Sequence, residues 1–222
     1  MPGKLESVLE TELKSLEKEG RLKGAEKVIA GTLPSSNGGG NKIQLEDGRL
    51  LLNFASNSYL GLSGDKRIAD AEHHSSLKYG AGPGAVRFIS GTQLPHVQLE
   101  KKLAQFFNKQ AAIIFSSAYA SNLGTIAPLV TRDTMVISDQ LNHNSIIMAI
   151  RLAGIPREKK KIYSHCDAEK LRQCLDETVG DAKRVIIATD GVFSMRGNYA
   201  PLDQILTLSQ QYEKHFDEGI IT

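Results

Sequence analysis

Three short polar segments carry side chains that could do chemistry. SSAYASN (116–122) sets small residues where a helix is about to begin, with its free N–H groups and positive dipole end. That setting favours a phosphate; the competing reading is a serine-rich helix cap. SDQLNHNS (138–145) holds His143 with Asp139 and Asn142 close by, and the histidine serves either a ligand or the structure alone. TDGVFSMRG (189–197) holds Ser194 after Phe193, either a ligand-facing hydroxyl or a turn residue. Each segment follows an apolar run that reads as a strand. In open parallel sheets, ligands bind outside the carboxyl ends of the strands. Side by side at one sheet edge, the three loops could cradle a phosphorylated aromatic cofactor.

Other motifs fail on context. GAGPG (80–84) follows a helix and has G-x-G-x-G spacing, so it reads as an irregular loop with positive φ angles and not as a dinucleotide fingerprint. His73 and His74 are adjacent and point about 100° apart on a helix, which suits no shared metal. DGVFSMRG is not a G-x-S-x-G elbow. REKKK (157–161) reads as a solvated loop before a strand. Cys166 and Cys174, eight apart, match no metal or redox spacing and read as packing residues in a reducing compartment.

The elements that must position these loops alternate along the chain. Leu5, Val8, Leu9, Leu13 and Leu16 recur at helical spacing, with Gly20 to cap the end. A Gly- and Ser-rich connection over 31–42 precedes a hairpin in KIQLEDGRLLLNF, turning at Asp47-Gly48. Residues 1–60 thus read as an appendage, and 61–222 as the main body. There, helices are expected near 65–79 and 95–107, the second with Leu99, Leu103, Phe106 and Phe107 inward. Strands AAIIF (111–115), TMVIS (134–138), KIYS (161–164) and RVIIAT (184–189) alternate with further helices, one capped by Asp167. The pattern predicts an α/β fold: a mostly parallel sheet with helices on both faces.

Composition bounds the function. The chain has 222 residues, is 41% hydrophobic and carries a net charge of +2, so it should bury a core and offers no basic field for nucleic acid. Apolar runs stop at about five residues, short of the ~20 that a membrane helix needs. The first twenty residues hold five Glu and no apolar h-region, so neither a signal peptide nor a mitochondrial presequence is read, and the cytoplasm is expected.

NFASNSYLGL (53–62), YGAGPGAVRFISGTQLPHVQLEKKL (79–103), SDQLNHNSII (138–147) and ATDGVFSMRGNYAPL (188–202) together resemble the pyridoxal-phosphate-dependent α-oxoamine synthases of aminotransferase fold type I. The likeness runs from about residue 5 to residue 213. It is strongest to glycine C-acetyltransferase, and 8-amino-7-oxononanoate synthase and serine palmitoyltransferase are among the relatives. It implies the three-layer α/β/α large domain of that fold. By the same resemblance Ser117, Ala118 and Tyr119 hold the cofactor phosphate and ring edge, and His143 stacks on the pyridine. Ser194 reaches the phenolic oxygen or the substrate carboxylate region, and Asn57 lies near the amino-acid carboxylate. The implied activity condenses glycine, or another small amino acid, with an acyl-CoA across a homodimer interface. Asn144 and Arg196 depart from the family's usual alanine and aspartate.

The resemblance also implies residues that these 222 do not contain. The family's next strand ends in a D-D-x-H-like motif, and its Schiff-base lysine follows; here the text turns to DEGIIT where an apolar strand is expected. No catalytic residue is therefore assigned, and the cofactor would be held non-covalently. Two readings stay open: the N-terminal part of an acyl-CoA-dependent synthase, inactive alone, or a non-catalytic regulatory or decoy subunit pairing with a full-length paralogue.

Overall fold

A computed structural model describes residues 3–24, 26–33 and 42–222. The chain divides into two compact units, Met1–Gln93 and Leu94–Thr222.

In the first unit the leucine repeat forms α1 (Lys4–Lys18), where the Glu6 carboxylate accepts from the Gly3 amide at 2.6 Å. Its apolar stripe stays open: Leu5, Val8, Leu9 and Leu13 are all exposed. The expected hairpin forms as β2 (Lys42–Leu45) and β3 (Leu50–Leu52), with Gly48 at φ 85° in the turn. A strand that the sequence did not signal, β1 (Ile29–Leu33), pairs antiparallel with β2. It takes up the start of the predicted connection; residues 34–41 of that stretch lie outside the described residues. Helix α2 (Lys66–Tyr79) is capped by Asp65, whose carboxylate accepts from Arg67 N, and ends at Gly80 with φ 79°. Gly80 and Gly84 both take the positive φ expected of GAGPG.

The second unit opens with α3 (Leu94–Phe106) and α4 (Ala118–Leu129). Then β4 (Thr134–Asp139), α5 (Asn144–Leu152), β5 (Lys160–Tyr163), α6 (Ala168–Asp176) and β6 (Arg184–Ala188) alternate. A short hairpin, β7 (Val192–Phe193) with β8 (Asn198–Tyr199), leads to α7 (Leu202–Tyr212) and β9 (Gly219–Ile221). The four-stranded sheet runs β5-β4-β6-β9, every neighbour parallel. Alternate residues serve opposite faces. Met135, Ile137, Val185 and Ile187 meet Leu171, Leu175, Ile205 and Leu208 of α6 and α7. On the other face Val136, Ile186 and Ala188 meet Ile146 and Ile150 of α5 and, at its margin, Ile126 and Leu129 of α4. This is the expected three-layer α/β/α arrangement, with both faces of β4 buried along its whole length.

Three local expectations need correction. AAIIF forms no strand: among the described residues none pairs with it, and the Ile114 amide donates instead to the Glu100 carboxylate at 3.1 Å. Strand propensity alone does not supply a ladder partner. On and just beyond α3, Leu99, Phe106 and Phe107 are exposed and Ala104 is the helix's buried residue. Helical spacing identifies an apolar face without showing what lies opposite. Finally, DEGIIT does enter the sheet. Gly219, Ile220 and Ile221 pair with Arg184, Val185 and Ile186, anchored by buried Phe216 and an Arg184–Glu218 ion pair at 2.7 Å. No helix among the described residues is long and apolar enough to cross a membrane.

Candidate functional site

Strands β4 and β6 run in register, with Ser138 beside Ala188, so the loops leaving them emerge together. Buried Asn142 joins these loops: its Nδ2 donates to Ser138 Oγ at 2.9 Å and to the Ala188 carbonyl at 2.7 Å, and its Oδ1 accepts from Asp190 N at 2.9 Å. Asp190 completes the link from the other side, its Oδ2 accepting from the His143 amide at 2.6 Å. The stretch 139–143 is thereby tied to the stretch 188–190 at both ends.

His143 is the N-cap of α5. Its Nδ1 accepts from Ser145 N at 3.1 Å and lies 2.7 Å from Ser145 Oγ. The same hydroxyl accepts from Asn122 Nδ2 at 2.8 Å, so its own proton points at the ring. Nδ1 therefore acts as an acceptor and Nε2 carries the ring proton, with the imidazole exposed and fixed in orientation. The Asn122–Ser145 bond also joins the first turns of α4 and α5, which sets two helix N-termini side by side. At the start of α4, Ser117 Oγ accepts from Ala120 N at 3.0 Å, and the Ser117 carbonyl accepts from Ser121 N. The amides of Ala118 and Tyr119 precede the first intrahelical donor, Ser121 N, and both residues are exposed.

Opposite His143 stands the β7–β8 hairpin. Between them lies a cleft of about 550 Å³ whose lining includes His143, Asp190, Phe193 and Ser194. Asn144 and Arg196, the two departures from the family pattern, line it as well. Of the residues singled out in the sequence, His143 and Ser194 therefore share one cleft. Ser117, Ala118 and Tyr119 lie at the adjoining helix start and do not line it. Asn57 belongs to the first unit, exposed, with its carbonyl accepting from Tyr59 N at 2.9 Å.

Sequence reasoning set Asp139 beside His143. The structure gives it a different partner: its fully buried carboxylate lies 3.0 Å from Nδ1 of His165. The structural parts played by Asn142 and Asp190 were missed, although a carboxylate directly after a strand, in TDG, was the available signal. His165 was not singled out, because one histidine in a loop carries no spacing signal. Burial pushes the Tyr163 phenol, also in this region, up to about 12.

A phosphorylated aromatic ring fits the residues present. The uncapped amides of α4, with the Ser117 hydroxyl proton, offer donors to a dianionic phosphate. The fixed imidazole offers a flat face, and the Ser194 hydroxyl is available across the cleft.

Comparison with known proteins agrees with this geometry. The family described as aminotransferase class I and II matches residues 49–217. An 8-amino-7-oxononanoate synthase of Exiguobacterium sibiricum is 44% identical over 167 residues, covering 75% of this chain and 42% of that protein. The corresponding protein of Herminiimonas arsenicoxydans is 39% identical over 210 residues, 94% of this chain and 50% of that one. Among solved structures, Sphingomonas wittichii serine palmitoyltransferase superposes with a TM-score of 0.79 at 25% identity, over 92% of this chain and 49% of that one. Both names stand among the relatives that the sequence motifs brought in, and neither names glycine. The chain spans about two fifths to one half of the length of the curated relatives it matches. With three quarters of its residues under the family profile, a chain that builds a histidine-walled cleft beside two helix N-termini belongs to the pyridoxal-phosphate-dependent aminotransferase class I and II family, as an α-oxoamine synthase relative.

Proposed function

We propose that these 222 residues form the cofactor-facing half of an acyl-CoA-dependent C-acyltransferase, which joins a small amino acid such as glycine to an acyl thioester. The observation that carries this reading is the cleft itself, with His143 locked by Asp190 and Ser145 on one wall and Ser194 on the other. When bound, pyridoxal phosphate supplies an electron-accepting ring that stabilises a carbanion next to the amino-acid carboxylate. The chain's own residues bind and orient. Ser117 and the amides of Ala118 and Tyr119 take the phosphate, the His143 imidazole covers one ring face, and Ser194 donates to the phenolic oxygen or the substrate carboxylate. Asn57 is assigned to that carboxylate on the family motif. Within these residues no lysine stands at the family's imine-forming position, so binding is non-covalent and turnover needs groups from elsewhere.

The same reading assigns a partner of the same fold, either a second copy or a full-length paralogue. Phe54, Leu60, Phe88 and Ile89, each more than 70% exposed, support such an apposed surface. The cytoplasm is its compartment, a reading that rests on the two unpaired thiols.

Titration of the chain with pyridoxal phosphate, followed by visible absorbance and equilibrium dialysis, tests the reading. Saturable one-to-one binding that is lost on dialysis after borohydride reduction is expected. Cofactor that stays attached after reduction would refute the non-covalent assignment, and no saturable binding would refute the site. Co-expression with a full-length relative, followed by affinity capture, checks the partner.

A further inference from the structure

Asp139 sits at the end of β4 with no exposed side-chain surface, and its carboxylate meets two backbone amides and a histidine ring nitrogen. Oδ1 accepts from Leu141 N at 2.8 Å and lies 3.0 Å from His165 Nδ1; Oδ2 accepts from Cys166 N at 2.8 Å. His165 in turn reaches the β7–β8 hairpin, its Nε2 lying 2.8 Å from Asn198 Nδ2. Its ring packs edge-on against Phe193, with centroids 4.3 Å apart, and the neighbouring Cys166 thiol contacts the Tyr199 carbonyl at 3.5 Å. Cys166 holds a left-handed backbone, φ 55°, which a non-glycine residue adopts only when its surroundings enforce it. Asp139, His165 and Cys166 could bring three donor atoms to one metal ion. The carboxylate and Nδ1 are however already engaged with each other, and burial with the Asp139 charge pushes the thiol up, away from the thiolate that a metal would need.

We infer that Asp139, His165 and Asn198 form a hydrogen-bonded strut that sets the distance between the two walls of the cleft. One end, through Leu141 N, fixes the loop that carries His143. The other end, through Asn198, fixes the hairpin that carries Ser194. All three are positioning residues, and their effect on a ligand rests on the reading of the cleft given above.

The test separates the strut from that reading. Amide exchange of the cofactor-free chain is measured at Gly197 and Ala200, whose N–H groups bond to Phe193 and Gly191 within the hairpin, and at core amides of β4 and β6. His165→Ala should speed hairpin exchange about tenfold relative to the core amides, and added imidazole should restore protection. Asn198→Ala, which leaves the Asp139–His165 pair intact should the first variant fold poorly, should give the same hairpin effect without imidazole rescue. His143→Ala should leave hairpin exchange unchanged. In parallel, dialysis should show pyridoxal phosphate bound about tenfold more weakly by His165→Ala. Unchanged hairpin exchange in both strut variants overturns the strut. Absent cofactor binding in the unmodified chain, with the exchange effects intact, overturns the cofactor reading and leaves the strut standing.

Discussion

Residues 134–222 and the described residues before them have similar apolar patterning and opposite fates. In the later region Val136, Ile137, Leu171, Leu175 and Ile205 are fully buried. In the earlier one Phe54, Phe88 and Phe106 are 92%, 90% and 82% exposed. The difference is the presence of a facing layer. The central strands β4 and β6 have helices above and below them, whereas the stripe of α1 and the aromatic end of α3 stay exposed among the described residues. Periodicity tells which side of an element is apolar; the neighbour decides what that side contributes.

The largest test of this contrast is a pair of truncations. Leu171→Ala should lower unfolding free energy by about 2–5 kcal/mol, because the buried site cannot collapse around the cavity. Leu9→Ala in α1 should change it by less than about 0.5 kcal/mol. Urea unfolding measures both, and a comparable loss for Leu9→Ala would show that α1 has a covering partner in solution.

Next comes the sheet's alkaline limit. The Tyr163 phenol, ordinarily near 10, is pushed up to about 12 by burial, so the folded state favours its protonated form. Its contribution is complete below pH 10 and is lost as pH rises from there towards 12. The loss approaches about 3 kcal/mol at one pKa unit per 1.4 kcal/mol. Tyr163→Phe should flatten this segment of the stability–pH curve; an unchanged slope would place the alkaline transition elsewhere.

At the sheet's carboxyl edge, Asn142→Ala strands the Ala188 carbonyl and the Asp190 amide, and should cost about 2 kcal/mol. It should also weaken cofactor binding, since the loops lose their stitch. His143→Ala removes the cap bond to Ser145 N, about 1 kcal/mol, and should weaken pyridoxal phosphate binding about tenfold in an absorbance titration. Equal affinity for the variant would remove the stacking assignment.

Much of the later region could be read directly from the sequence. TMVIS, KIYS and RVIIAT became β4, β5 and β6 within a residue or two, because short apolar runs alternating with helical patterns signal a parallel sheet. Asp167 caps α6 as its type and place implied. The misses share one cause. AAIIF, the inward face of α3 and β1 all depend on partners that local pattern does not encode. In the site, His143 and Ser194 were legible as polar residues after strands. The Asp139–His165 pairing, spanning 26 residues, was not, because only the parallel alignment of β4 and β5 brings Tyr163 beside Asp139 and so carries His165 to it.

The smallest expected effect falls at Cys166. Its left-handed backbone disfavours a thiol-bearing residue, while asparagine enters that region more readily. The amide bond to Asp139 survives any side chain, so Cys166→Asn should retain the loop and stabilise the chain by about 0.5 kcal/mol, at the expense of the long thiol contact to Tyr199. A shift of the urea midpoint at constant slope would report this gain. A loss instead would mean that the thiol's hold on the hairpin outweighs the backbone strain. The contrast between the two regions would then extend to a side chain whose worth comes from the hairpin opposite it and not from its own conformation.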